Sequence, residues 1–293
     1  MSKHIRKAVI PVAGLGTRLL PVTKSVPKEL LPIVDVPAIQ VIVEECMASG
    51  IEEVIFITGR GKGAIEDHFD YSYELESILA GRGKSRELEA VKKASNLIRT
   101  VTVRQKKPLG LGHAILQAKD VIGDEPFLVV LPDDIISADP PCAKQLIDVY
   151  NKYGEGVVSV LEVSNEEVSR YGIIDGEAWE EDLVRVRVMV EKPAPEEAPS
   201  NLAIIGRYIL PPIIFQYLEE TEVGAGGEIQ LTDALQRLAR ERALIGYKFT
   251  GRRHDTGDRF GYITANIDYA LRRPDLSEKL WKYIKSLDEN DFK

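Results

Sequence analysis

Gly14-Leu15-Gly16-Thr17-Arg18-Leu19-Leu20-Pro21-Val22-Thr23-Lys24-Ser25-Val26-Pro27-Lys28-Glu29-Leu30-Leu31-Pro32 follows an apolar, β-branched run, Lys7–Val12. A loop at the carboxyl end of a buried strand is where open α/β sheets bind ligands. Glycines there let main-chain N–H groups approach phosphate oxygens that a Cβ would hold off. Arg18, Lys24 and Lys28 add three cations to the same loop. The stretch reads as a strand followed by a phosphate-binding loop. Two widespread phosphate motifs do not fit it. A dinucleotide fingerprint needs G-x-G-x-x-G/A, but Leu19 stands at the third small position and Pro21 and Pro27 forbid the long helix that should follow. A Walker A loop needs G-x-x-x-x-G-K-[ST], and Gly83-Lys84-Ser85 has Ile78 at the first glycine position.

Outward from this loop, Val54–Thr58 is a second buried-strand run, and Ala38–Ser49 between them has helical length with Gly50 as its C-cap. The alternation continues with strand Arg99–Arg104, helix Gly112–Val121, strand Pro126–Leu131, helix Cys142–Tyr153 and strand Val157–Val163. Leu183–Glu191 and Asn201–Tyr208 alternate as antiparallel strands do, and Ile245–Thr250 is a further strand. Thr232–Arg242 and Ser277–Leu287 are helical, the second with Leu280, Trp281, Ile284 and Leu287 on one face. These patterns predict an α/β, Rossmann-like fold: a central mixed, mostly parallel sheet flanked by helices. Residues 1–293 are expected to form one domain with a helical C-terminal tail from about 264.

The composition bounds the partners. The formal net charge is -8, which argues against a nucleic-acid binder, since such proteins present a broad basic surface. It leaves room for a polyanionic ligand in a pocket where a few cations converge. No apolar stretch approaches the ~18–20 residues of a membrane span. Cys46 and Cys142 lack Cys-x-x-Cys spacing, so neither a disulfide framework nor a zinc site is expected. The expectation is a reduced, soluble, cytoplasmic protein. Arg82–Lys93 reads as a solvated helical face, Cys46 and Met47 as helix core, and Gly59–Gly63 as a strand–helix turn.

Six later stretches carry chemistry. Gln105-Lys106-Lys107-Pro108-Leu109-Gly110-Leu111-Gly112-His113-Ala114 is a second glycine-bearing turn entering a helix. Phe127–Leu131 runs through Pro132 into Asp133 and Asp134, and neighbouring side chains on extended chain point oppositely, so at most one of these aspartates faces a shared ligand. His254-Asp255-Thr256-Gly257 supplies a third carboxylate. Aspartic proteases need two Asp-Thr-Gly turns and this chain has one, while His254, with no metal-spaced partner, reads as a surface histidine. Last come Tyr171-Gly172, Glu191-Lys192-Pro193 and Gly226-Gly227-Glu228-Ile229-Gln230-Leu231-Thr232-Asp233.

The first loop meets every fixed position of G-x-G-T-R-x-x-P-x-T-K-x-x-P-K and so resembles the signature of the sugar-1-phosphate nucleotidyltransferases. The resemblance runs from Lys7 to about Ala270. The single residue between Gly14 and Gly16, with Asp67–Glu76 and Gly226–Asp233, is similar to the uridylyltransferase branch. It implies the nucleotidyltransferase fold, a homodimer or homotetramer, and Mg²⁺-assisted transfer of a uridylyl group from UTP to α-D-glucose 1-phosphate, giving UDP-glucose and pyrophosphate. It assigns Ala13, Gly14, Gly16, Thr17, Lys28, Gln105 and Gly110 to the nucleotide. Gly172, Glu191, Lys192 and Glu228 fall to the sugar phosphate, and Asp133 and Asp255 to the metal. Arg18, Lys28 and Lys192 are the implied catalytic cations, and Asp134, at a variable position of the family, stays outside the site. The attacking phosphate is already anionic and needs no general base, which suits a chain with no evident catalytic histidine and no G-x-S-x-G.

Overall fold

The computed structural model describes residues 4–224, 227–288 and 290. Strand β1 (Lys7–Pro11) opens the first βαβ unit. A short hairpin, β2 (Pro32–Ile33) and β3 (Val36–Pro37), leads into the helix Ala38–Ala48 and on to β4 (Glu53–Thr58). The strands that follow are β5 (Arg99–Arg104), β6 (Phe127–Val130), β7 (Asp134–Ser137) and β8 (Gly156–Glu162). The last five are β9 (Gly172–Glu180), β10 (Leu183–Glu191), β11 (Leu202–Leu210), β12 (Leu244–Lys248) and β13 (Arg252–Asp255).

Nine of these strands form one sheet in the order β5-β4-β1-β6-β11-β8-β12-β10-β9, while β7 and β13 pair as a separate two-stranded ribbon. The sheet is parallel from β5 through β6 and again between β8 and β12, and antiparallel at its other junctions. With the further antiparallel pairing of β11 and β9, the sheet has five antiparallel and four parallel pairings, so it is mixed as expected but not mostly parallel, because β9 to β11 join it as antiparallel neighbours. β1, β4 and β6 are apolar on both faces because both faces are covered. Ala8, Ile10, Val54, Phe56, Leu128 and Val130 feed one core layer. Val9, Ile55, Ile57, Phe127 and Val129 feed the other. The helix Ala38–Ala48 seals the first layer with Ile39, Ile42, Val43 and Cys46, the i, i+3, i+4, i+7 stripe of an amphipathic helix. Met47, expected in the core, is exposed because it falls off that stripe.

Other departures from expectation are local. The helix expected over Gly112–Val121 is two short ones, Gly110–Leu116 and Lys119–Ile122. The C-terminal helices are Arg259–Leu271 and Ser277–Ser286, so the helical tail begins before 264. Asp258 sets that start, its side chain accepting from Phe260 N and Gly261 N as an N-cap. His254 is buried rather than at the surface, 3.2 Å from Asp268 Oδ2, because alternation along β13 turns it inward. Among the described residues no helix is long and apolar enough to cross a membrane.

One charged pair is sunk in the core behind the β6–β7 turn. Arg207 on β11 pairs with Glu45, with Nη2 2.6 Å from Glu45 Oε2 and 2.8 Å from the Asp134 carbonyl oxygen. Its Nη1 also donates to the Gly206 carbonyl at 3.1 Å. The main chain beside Asp133 is thus held from within the core. Removing one member of such a pair typically costs about 3–5 kcal/mol, because the other charge is left buried and unpaired.

Candidate active site

The carboxyl ends of β1 and β6 open onto two adjoining cavities. One, of about 310 Å³, is lined by Ala13, Gly14, Lys28, Glu29, Gln105 and Gly110. The other, of about 270 Å³, is lined by Arg18, Gly172, Glu191, Lys192, Tyr208 and Asp255. Asp133 and Glu228 line both, together with Leu111 and Leu131. A ligand spanning the two cavities would pass these residues. Gly16 and Thr17 lie on the glycine loop outside both linings.

The first cavity is built from loops. Gly16 takes a left-handed φ of 67°, and a Cβ there would stand 3.1 Å from Thr23 Cγ2. Thr23 Oγ1 donates to the Gly16 carbonyl at 2.8 Å, bracing the loop from inside. Lys28 Nζ lies 2.7 Å from Asp133 Oδ2. Burial works against both charges, yet each holds the other ionised: the Lys28 pKa is raised and that of Asp133 lowered. Next to Lys28, the buried Glu29 pairs with the buried Lys62 at 2.7 Å. Its Oε1 has no hydrogen-bond partner among the described residues. Lys62 sits in the strand–helix turn expected over Gly59–Gly63, but nothing local in the sequence announces its partner.

Gln105 is buried at the end of β5, and its Nε2 donates to the Gly110 carbonyl at 3.2 Å and meets His113 Nδ1 at 2.9 Å. The Gly110 carbonyl can only accept, so it fixes which end of the amide is nitrogen. His113 Nδ1 must then be the acceptor, which requires a neutral ring; burial lowers the His113 pKa and favours that form. Gly110 has φ 94°, and a Cβ on it would meet Glu228 Cβ at 2.7 Å, so only glycine fits. Gly112 N donates to the Ile229 carbonyl at 3.0 Å, and Ile229 N to the Leu109 carbonyl at 2.8 Å. These bonds seat Glu228 beside Gly110. Gly226, in the same motif, lies outside the described residues.

Asp133 closes the β6–β7 turn and Asp134 opens β7. Asp133 lines both cavities, and Asp134, expected outside the site, lines the second; its carboxylate is engaged by the frame, accepting from Gly206 N at 3.0 Å and from Arg253 Nε. Asp134 therefore serves the frame. The Asp133 carbonyl accepts from Thr256 N at 2.8 Å and Thr256 Oγ1 at 3.0 Å, which brings the His254–Gly257 segment alongside. Asp255 pairs in register with Asp134 across the ribbon. One point, where a Cβ on Gly257 would sit, is 3.0 Å from Asp255 Oδ1 and 3.1 Å from Asp133 Oδ2. The two carboxylates thus converge, and Asp255 has a raised pKa from burial and then from the charges of Asp134 and Asp133. Hard oxygen donors and crowded negative charge fit Mg²⁺, which commonly takes one or two protein carboxylates and completes its shell with phosphate and water. Among the described residues no group of three or more His, Cys, Asp or Glu could hold a metal by itself.

The second cavity is built from side chains that hold one another. Thr232 Oγ1 donates to Glu191 Oε2 at 2.5 Å, and Lys192 Nζ lies 3.0 Å from Glu191 Oε1. Lys192 takes a positive φ of 46°, at a cost of about 1–2 kcal/mol for an L-residue. Its N donates to the Tyr171 carbonyl at 2.9 Å, which ties the left-handed turn to the strand bearing Gly172. Tyr208 is buried in the wall, and burial raises its phenol pKa. Arg18 is exposed and lines this cavity with Lys192. Sequence reading missed Glu29, Lys62, Arg170, Tyr208, Thr232 and Arg253, because their roles arise from partners distant along the chain.

A family model described as nucleotidyl transferase matches residues 7–271. The chain is 52% identical over 97% of its length to a UTP–glucose-1-phosphate uridylyltransferase of Bacillus subtilis (strain 168), covering 98% of that protein. It is also 52% identical to one of Staphylococcus epidermidis, over 98% of this chain and 99% of that one. Among solved structures, a UDP-glucose pyrophosphorylase complexed with UDP-glucose superposes with TM-score 0.85 at 48% identity, covering 92% of this chain and all of the other. A UTP-bound enzyme of Acinetobacter baumannii superposes with TM-score 0.90 at 39% identity, covering 97% of this chain and all of the other. The chain belongs to the nucleotidyl transferase family.

Proposed function

We propose that the protein transfers a uridylyl group from UTP to α-D-glucose 1-phosphate, releasing pyrophosphate and forming UDP-glucose. The observation that carries this reading is the pair of cavities meeting at Asp133 and Glu228, with a glycine loop on one side and the Glu191–Lys192 pair on the other. It is supported by the names of relatives that share about half of their residues with the chain.

A sugar-phosphate oxygen attacks the α-phosphorus of UTP, and the bond to pyrophosphate breaks. Two polyanions must meet, and each pair of unit charges at ~4 Å repels by about 1 kcal/mol in water and more in a drier site. Lys192 holds the attacking phosphate, while Arg18 and Lys28 neutralise the α-phosphate and the departing pyrophosphate. Asp133 and Asp255 would hold Mg²⁺, which when bound offsets charge on phosphate oxygens. Lys28 faces Asp133 directly, so the same lysine reaches both the carboxylate and the nucleotide cavity. With its NH₂ engaged by Gly110 and His113, Gln105 is left with Oε1 to accept an imide N–H, a group that uracil has and cytosine lacks. Gly172, Glu191 and Glu228 take the sugar hydroxyls. The test is pyrophosphate release across a matrix of nucleoside triphosphates and sugar phosphates, with and without Mg²⁺. UTP with α-D-glucose 1-phosphate should turn over fastest and require the metal; faster turnover of another pair would overturn the substrate assignment.

A further inference from the structure

We propose that Arg253 is a positioning residue that fastens the sugar-phosphate loop to the carboxylate ribbon, so that the sugar phosphate and the metal are aligned by one side chain. The proposal rests on the reading of Asp133 and Asp255 as metal carboxylates and of Gly172 and Lys192 as sugar-phosphate contacts. Arg253 lies on β13 with its side chain in the wall of the second cavity, only 11% exposed. Its Nε donates to Asp134 Oδ1, Nη1 donates to Tyr171 Oη at 2.8 Å, and Nη2 stands 3.6 Å from Asp255 Oδ2. The guanidinium carbon also lies 5.0 Å from the centroid of the Tyr171 ring.

Those partners come from three separate segments. Asp134 follows Asp133 in the β6–β7 turn, Asp255 ends β13, and Tyr171 precedes Gly172. Tyr171 also accepts the Lys192 main-chain N–H, so the residue gripped by Arg253 is bonded to the lysine that holds the sugar phosphate. A planar fork can donate to a carboxylate and a phenol while lying against a ring; an ammonium can match the charge but not that geometry. Arg170 makes a similar link, 3.0 Å from Asp255 and 3.2 Å from Asp258, but its side chain is 40% exposed and screened by water. Arg253 is the sheltered link.

The experiment uses the full-length variants Arg253→Lys, Tyr171→Phe and Asp255→Asn. Each is checked for folding by thermal melting, for Mn²⁺ binding to the free enzyme by electron paramagnetic resonance, and for steady-state constants of both substrates. Partners that orient metal ligands are typically worth about 10- to 100-fold in metal affinity, and that loss is expected for Arg253→Lys. Its KM for glucose 1-phosphate, measured at saturating Mg²⁺, should rise too, with the KM for UTP unchanged under the same condition. Tyr171→Phe loses one hydrogen bond and should raise the glucose 1-phosphate KM by about 2- to 12-fold, with Mn²⁺ binding intact. Folded Arg253→Lys with parental Mn²⁺ affinity and parental glucose 1-phosphate KM overturns the proposal, as does an equal rise in both KM values. If Arg253→Lys fails to fold, an unchanged glucose 1-phosphate KM in Tyr171→Phe overturns it. Asp255→Asn separates the two readings: parental Mn²⁺ binding there sinks the metal assignment itself, whereas its loss beside an unaffected Arg253→Lys sinks only the coupling.

Discussion

The two cavities share a wall and are built on opposite plans. The first is walled largely by small or loop residues, Ala13 and Gly14 after β1 and Pro108 and Gly110 after β5, with the side chains of Lys28, Glu29 and Gln105 and those it shares with the second cavity. The second is walled by side chains from β9, β10, β11 and the helix Leu231–Glu241, already bonded to one another through Thr232, Glu191 and Lys192. On the proposed function, the contrast follows from what each would hold. A triphosphate presents charge on every side and is well met by main-chain N–H groups in a glycine loop. A hexose presents hydroxyls in fixed directions, and acceptors such as Glu191 must be held still to read them. On that reading, backbone recognition lies on the parallel half of the sheet and side-chain recognition on the mixed half.

If the halves are joined through Asp133, its loss should exceed any change confined to one of them. Asp133→Ala is expected to lower turnover by about 10²-fold or more, in line with loss of a preorganised electrostatic group. The fold should survive, because Asp134 and not Asp133 is bonded to Gly206 and Arg253. Unchanged Mg²⁺-dependent pyrophosphate release would remove Asp133 from the site. Next in size is Lys192→Ala. It should raise the glucose 1-phosphate KM and lower kcat, with UTP binding nearly unaltered, since Lys192 lines the second cavity alone. A variant that weakens UTP and spares glucose 1-phosphate would place this lysine on the other substrate and break the division between the halves.

The same contrast explains what could be read in the sequence. Glycines, prolines and cations at fixed spacing made the first loop legible, because backbone recognition constrains residues that are neighbours along the chain. Strands such as Arg99–Arg104 and the helix Cys142–Tyr153 matched expectation to the residue, being uniform segments with clear boundaries. The ribbon of β7 and β13 did not. Each strand has four residues, and Arg252-Arg253-His254-Asp255 has no apolar alternation to betray a strand. Its pairing rests on tertiary bonds, so the role of Arg253 and the burial of His254 were invisible until the ribbon was seen, whereas the division of labour between Asp133 and Asp134 was expected. The buried Glu29–Lys62 pair was hidden for the same reason, its partners lying 33 residues apart.

Gln105→Ala probes the first cavity with a smaller effect. Removing a buried polar contact costs about 1–3 kcal/mol, or roughly 5- to 150-fold, and the loss should fall on UTP far more than on CTP. The expected result is a narrowed UTP-to-CTP ratio in kcat/KM at little change in the glucose 1-phosphate KM. Retention of the parental ratio would move base reading elsewhere in the cavity.

The smallest effect should come from a residue that touches no substrate in this scheme. Thr232 is buried at the start of the helix Leu231–Glu241, and its hydroxyl donates to Glu191 Oε2. Thr232→Val keeps the shape and removes the donor, leaving Glu191 tethered, among the described residues, through Lys192 Nζ at 3.0 Å. If the second cavity works because its acceptors are fixed in advance, freeing Glu191 should raise the glucose 1-phosphate KM by about 2- to 12-fold, the worth of one ordinary hydrogen bond. The UTP KM should not move, because the first cavity contains neither Thr232 nor Glu191. Steady-state titration of each substrate at saturation of the other decides it. Parental constants for both would mean that Glu191 needs no prior fixing, and the contrast between a backbone-built and a side-chain-built half would lose its functional meaning.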